Sequence, residues 1–183
     1  MFENELNQLI KRMVEVTNAM IPINWKDLYI YTELQDGEGE TLFYYNSSEE
    51  EEKYKYSHDI PEEYNISFSE YMNGFNELMS TSREIHNLLD KNGQEKWVCM
   101  TIIVHNQSTL KVEFDYADWL NSSYTSNQRL KYFQYTHLGK IPQNELEMKL
   151  FEEMEEFQKK ITVKILFLEE RGIVAYRFDK IKG

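Results

Sequence analysis

Between Ser67 and Lys91 the chain carries its longest run of helical periodicity, and this run limits what the rest can become. Phe68, Tyr71, Met72, Phe75, Leu78, Met79, Ile85, Leu88 and Leu89 recur at helical spacing and make one broad apolar stripe. Ser67-Phe68-Ser69-Glu70 reads as a capping box, in which the serine hydroxyl takes the Glu70 amide and the Glu70 carboxylate returns to the amide of Ser67. Gly93 follows the last apolar position and suits a C-terminal stop. A helix this one-sided must lie on something. Strand-like pairs on both sides of it in the sequence point to a sheet.

Ahead of this helix, residues 3–20 are amphipathic, with Leu6, Leu9, Ile10, Met13, Val16 or Thr17, and Met20 on one side, and they end before Pro22. Trp25 to Leu34 alternates, Leu28, Ile30, Thr32 and Leu34 against Tyr29, Tyr31 and Glu33. Gln35 to Glu40, with Gly37 and Gly39, supplies a hairpin turn, Thr41 to Asn46 the return strand, and Lys53 to Tyr56 a short third strand. After the central helix, Lys96–Val104 and Thr109–Tyr116 form a second hairpin around His105-Asn106-Gln107-Ser108. A tyrosine-rich helix runs from Thr125 to Leu138, with Thr125 and Gln128 as a capping box and Gly139 as its stop. Pro142 and Asn144 open a last helix, whose Leu146, Leu150, Met154 and Phe157 fall at helical spacing. Residues 161–183 mix helical spacing with strand chemistry and read as a helix extended partway, followed by a strand over Ile173–Phe178. The order implies an α+β fold: an antiparallel sheet of two hairpins, about five strands, packed against several helices. One domain is expected over residues 1–160, with 161–183 as a C-terminal extension packed on it.

The 183 residues include 13 Tyr, 10 Phe and 3 Trp but only 7 Gly and 3 Pro, which argues against disorder and for a real core. The single cysteine, Cys99, lies in an apolar run and reads as a buried, reduced structural thiol. The N-terminus has no basic and apolar signal pattern, and no apolar run approaches transmembrane length; the expectation is a soluble cytoplasmic protein with no membrane partner. The net charge of −12 disfavours direct nucleic-acid binding and favours cationic partners. Residues 36–70 hold eleven acids against Lys53 and Lys55, whereas residues 159–183 hold seven bases against three acids.

Catalytic signatures are absent. His58, His86, His105 and His137 show no metal-ligand spacing. His58-Asp59 offers half of an acid–base pair but suits a turn better, and Glu113, Asp115 and Asp118 at a strand end suit solvation or capping better than a cation. Cys99 has no basic neighbour, Ser57 lacks a nucleophile-elbow context, and no glycine-rich phosphate loop occurs. No catalytic residue, metal or cofactor is therefore assigned. Glu49-Glu50-Glu51-Glu52 has two readings of equal weight, a solvated loop or an acidic surface in which Tyr54, Tyr56 and Tyr64 serve as aromatic anchors.

Several separate stretches carry a family likeness. Met-Ile-Pro-Ile-Asn-Trp-Lys-Asp-Leu-Tyr (Met20 to Tyr29) fits the form M-I-P-x-x-W-x-x-x-Y; Tyr56 to Ser67, Lys111 to Ser122, and Tyr132-Phe133 with Leu138-Gly139 and Ile141-Pro142 continue it. In this order the chain resembles, over about residues 1–158, the YezG/EsaG family of immunity proteins, or antitoxins. The resemblance implies a protein without catalytic activity. It implies cytoplasmic binding and neutralisation of a cognate polymorphic toxin, at its C-terminal nuclease domain, before export by type VII secretion. The shared motifs look structural: Met20, Pro22 and Trp25 at one corner, Pro61 at the next, Trp119 anchoring the second hairpin to the following helix. Residues beyond about 161 depart from the family pattern. The expected toxin-binding surface is acidic and aromatic: Asp36, Glu38, Glu40, Glu49, Glu50, Glu51, Glu52, Tyr54, Tyr56, Glu62 and Glu63. Two rivals stand beside this reading. One is a metal-dependent hydrolase using His58, Asp59, Asp115 or Asp118, the other an intracellular adaptor without a toxin.

Overall fold

A computed structural model describes residues 2–169, with side chains through residue 160. They fall into two compact units, 2–114 and 115–169. In the first, α1 (Phe2–Met20) leads into β1 (Leu28–Gln35) and β2 (Glu38–Tyr45). Then β3 (Lys55–Tyr56), a 3-10 turn (Ser57–Asp59) and α2 (Ile60–Glu63) lead into α3 (Phe68–Lys91), and β4 (Cys99–His105) and β5 (Thr109–Asp115) complete the sheet. The five strands form one antiparallel sheet of order β3-β2-β1-β4-β5, the α+β arrangement the pattern implies. The central strand β1 is buried on both faces from Leu28 to Leu34, Glu33 included.

Turn geometry sets the register. β1 and β2 close through Asp36 and Gly37, at φ +52° and +84°, with Gln35 opposite Glu38. Two positive-φ residues make the tight turn whose twist matches that of the strands. The return strand therefore begins at Glu38 rather than Thr41, because Asp36-Gly37 reverses the chain without help from Glu38, Gly39 and Glu40. A Cβ on Gly39 would stand 1.9 Å from the carbonyl oxygen of Glu33, so only glycine fits there. The second hairpin repeats the solution: Asn106 and Gln107 both have φ +51°, and Ser108 N–H donates to the His105 carbonyl at 3.0 Å. Asp27 ties this turn to the start of β1. Its carboxylate accepts the Asn106 N–H at 3.0 Å and the Asn46 side-chain amide at 3.2 Å, and lies 3.3 Å from His105 Nδ1. Burial pushes the Asp27 carboxyl up, but these hydrogen bonds outweigh it and hold its pKa below the usual value.

α3 covers one face of the sheet. Phe75 stacks on Phe43 with centroids 6.0 Å apart, and the hydroxyl of Thr32 lies 3.0 Å from that of Thr41 and 3.4 Å from that of Ser82. The predicted stripe is buried at Tyr71, Phe75, Leu78, Ile85, Leu88 and Leu89. At its end Gly93 has φ +70°, with Gln94 N–H on the Leu89 carbonyl and Gly93 N–H on that of Asp90, a complete Schellman stop. The start differs from expectation. Ser67 makes no side-chain cap, because its hydroxyl pairs with that of Ser69 at 3.0 Å. Phe68, expected in the stripe, is 64% exposed.

In the second unit Asp115 is a latch. Its carboxylate accepts the Ala117 N–H at 2.9 Å, the Trp119 indole N–H at 2.6 Å and the Gln158 amide at 2.8 Å. Trp119 is thereby set against Tyr132 of α4 (Ser126–Leu138) and Phe157 of α5 (Glu145–Glu169), at 5.9 and 4.9 Å between centroids. The Thr125–Gln128 capping box forms in both directions, and Gly139 ends α4 at φ +67°. Asn144 caps α5 by accepting the Glu147 N–H at 2.9 Å. Phe151 and Met154 are buried, but Leu146, expected on the stripe, is 78% exposed: in the first turn of α5 it is the neighbouring Glu147 that meets α4, pairing with Lys131 at 2.8 Å. The strand expected over Ile173–Phe178 lies outside the described residues.

Three substitutions test this construction by urea unfolding. Gly39→Ala should cost about 3 kcal/mol, from the overpacking of a backbone contact, while Gly37→Asn stays within about 0.5 kcal/mol because asparagine tolerates positive φ. Asp115→Ala should cost about 2–3 kcal/mol by stranding the donors it serves; a loss under about 0.5 kcal/mol would show that the carboxylate is not a latch.

Candidate interaction surface

The hairpin turn and the strand register position the acidic residues, and they divide them. Asp36, Glu38 and Glu40 stand exposed at the turn end of β2. Glu49 to Glu52 sit in the loop beyond its far end, roughly 20 Å away by strand rise. The chain then doubles back. Tyr56 of β3 pairs with Tyr44, and the 3-10 turn returns toward Glu40, where the Ser57 hydroxyl accepts the Phe43 N–H at 3.2 Å. Glu40 and Asp59 both act on the His58 imidazole, so the structure brings Glu40, Tyr56, His58 and Asp59 together. It does not join them to Glu49–Glu52.

The aromatic residues are embedded among these acids. Tyr56 stacks between Tyr44 at 5.1 Å and His58 at 4.8 Å, and His58 packs in turn on Phe75 at 4.9 Å. Packing on both ring faces strips water from the imidazole and lowers the His58 pKa, while the carboxylates of Glu40 and Asp59 pull it up. Tyr54 lies edge-on to Tyr29 at 5.4 Å, and its desolvated phenol is held above its ordinary pKa. Tyr54 and Tyr56 are both half-buried, so each offers a ring edge rather than a free side chain.

Three of the acids are partly neutralised. Glu50 pairs with Lys53, Glu51 with Lys26 at 2.6 Å, and Glu63 with Lys55, whose ammonium also donates to the Tyr64 hydroxyl at 2.8 Å. Lys26 is the partner that sequence reasoning missed. It reaches the loop only because its N–H pairs with the Asn46 carbonyl at 2.9 Å, a long-range contact with no local signal. The carboxylates of Glu38, Glu40, Glu49, Glu52, Asp59 and Glu62 have no ion-pair or hydrogen-bond partner among the described residues. Asp36 borders a shallow cleft of about 260 Å³ with Arg83, His86 and Lys96, and the Arg83 guanidinium donates to the Gly37 carbonyl at 2.9 Å.

Of the residues of the hydrolase alternative, Asp115, Asp118 and His58 have structural employment instead, and Asp59 has only its charge beside His58. Asp115 serves Trp119 and Gln158, Asp118 accepts from the Asn121 amide at 3.0 Å, and His58 is stacked. Among the described residues no group of three or more His, Cys, Asp and Glu side chains is placed to hold a metal ion. Cys99 is buried beside the Tyr31 hydroxyl at 3.5 Å. No helix among the described residues is long and apolar enough to cross a membrane. What this surface offers is charge and aromatic edges for binding.

A model of the family described as immunity protein YezG-like matches residues 6–152, from α1 into α5. The type VII secretion system protein EsaG of Staphylococcus aureus is 29% identical over 160 residues, 87% of this chain and 98% of that protein. The immunity protein YezG of Bacillus spizizenii is 30% identical over 138 residues, 75% of this chain and 85% of that protein. That of Bacillus subtilis is 26% identical over 140 residues, 76% and 92% respectively. The family is one of immunity proteins rather than enzymes. With a match over residues 6–152, which takes in the whole sheet, the chain belongs to the YezG-like immunity protein family.

Proposed function

We propose that this protein acts in the cytoplasm as the antitoxin of a toxin exported by type VII secretion, binding the toxin's C-terminal nuclease domain and covering its nucleic-acid surface. A nuclease must present cationic side chains to phosphates. An acidic protein surface can occupy the same side chains, and complementary charge speeds its arrival. The observation that carries this reading is the placement of charge. Residues 2–114 hold 21 acids against nine bases, and seven of the ten acids between Asp36 and Glu63 have no ion-pair partner among the described residues. The contact surface is then Asp36, Glu38, Glu40, Glu49 to Glu52, Glu62 and Glu63, with Tyr54 and Tyr56. Residues 1–160 act as one immunity domain in this reading, with 161–183 as its extension, since the family match runs through both units.

Stopped-flow association with the nuclease domain of the cognate toxin tests the charge mechanism. The pair Glu49→Lys and Glu52→Lys, both free of ion pairs, should lower kon about tenfold at low salt and flatten its dependence on ionic strength. An unchanged kon and salt slope would overturn the acidic surface while leaving inhibition by binding intact. Failure of the wild-type proteins to co-purify would overturn the binding itself.

A further inference from the structure

The first turn of α3 presents a large aromatic side chain that the fold does not use. Phe68 is 64% exposed, while Tyr71 and Phe75, one and two turns on, are buried. Helix formation does not call for it, and neither does the core. It rises from a rigid base. Ile66 N–H donates to the Pro61 carbonyl at 2.9 Å and Tyr64 N–H to that of Ile60 at 3.0 Å, closing the segment on itself. Ile60 is fully buried beneath this turn, and the Tyr71 hydroxyl donates to the Ser57 carbonyl at 2.8 Å, holding α3 to the 3-10 turn. Pro61, Tyr64 and Ile66, which precede it in the chain, and Met72, one turn on in α3, are each half-buried.

The charge around it has one sign. No lysine or arginine occurs between Lys55 and Arg83, whereas Asp59, Glu62, Glu63, Glu70 and Glu77 do. Glu63 is met by Lys55 and Glu77 by Arg12 at 3.1 Å. Glu62 and Glu70 have no ion-pair partner among the described residues. An exposed aromatic flanked by unneutralised acids matches the anatomy of an interface anchor, an apolar centre within a charged rim. Its complement is an apolar pocket edged by cations.

We infer that Phe68 is the apolar anchor of the toxin contact, seated in a pocket of the cognate toxin whose rim carries lysine or arginine facing Glu62 and Glu70. This rests on the antitoxin reading and adds to it. The binding surface extends beyond the acids of residues 36–63 onto the start of α3, and the two parts divide the labour. The acids govern arrival and Phe68 governs residence.

Measured against the same nuclease domain, Phe68→Ala should raise koff about 10- to 100-fold, the equivalent of removing a buried aromatic side chain, with kon within about twofold of wild type. Phe68→Leu should fall between the two. The melting temperature of free Phe68→Ala should match wild type, since the lost side chain is exposed. An unchanged koff alongside an intact charge effect in the Glu49→Lys, Glu52→Lys protein would overturn the anchor and spare the acidic surface. A raised koff with no charge effect would support the anchor and sink only the acidic surface.

Discussion

The antiparallel register of β1 and β2 is the constraint on which the first unit depends. Side chains alternate with a period of two, so a slip of one residue would exchange the faces of the whole strand. Thr32, Thr41 and Phe43 meet α3 only in the register that Asp36-Gly37 and Gly39 impose. Because β1 is central, the same register also carries β4 through the pairing of Leu28 with Val104, and Asp27 then binds the second turn. The hairpin end left in solvent by this arrangement is where Glu38 and Glu40 stand. Fold and surface chemistry thus share one origin.

Concentrating 21 acids in one unit has a physical cost, since like charges on a compact body repel. Exposed ion pairs such as Glu50–Lys53 recover little of it, since water screens both partners. The pairs that form tie down shape more than they cancel charge. Lys26 with Glu51 holds the loop after β2, and Lys55 with Glu63 and Tyr64 holds the segment before α3. Between these two fixed points run Tyr54, Tyr56 and the His58 stack. The outcome is a surface firm in backbone and still strongly acidic, the combination that favours rapid capture of a cationic partner without large rearrangement on binding.

Features decided by neighbouring residues were legible in the sequence. The Thr125–Gln128 box, the stops at Gly93 and Gly139, and the turn at Asn106-Gln107 all depend on groups within five residues, and each forms as the pattern implies. The misses share a cause as well. Ser67 had the right partner at Glu70, but the hydroxyl of Ser69 was nearer, and motif spacing cannot weigh that competition. Phe68 and Leu146 have the helical period of their neighbours, yet both lie in first turns and stay exposed. Periodicity names a face but not how far the opposing surface reaches. The candidate site divides in the same way. A run of acids is visible as composition, whereas the pairing of Glu51 with a lysine 25 positions earlier, and the gathering of Glu40 with His58 and Asp59, require the sheet.

The central claim is that the acidic face of the first unit, from the β1–β2 turn to the start of α3, holds the toxin. Amide hydrogen exchange of this protein alone and in complex with the nuclease domain tests it most directly. The account predicts added protection across residues 36–40 and 47–72, strongest at the segment bearing Tyr54, Tyr56 and Phe68, with exchange in α4 unchanged. Protection confined to residues 115–160, with 47–72 exchanging as in the free protein, would contradict it.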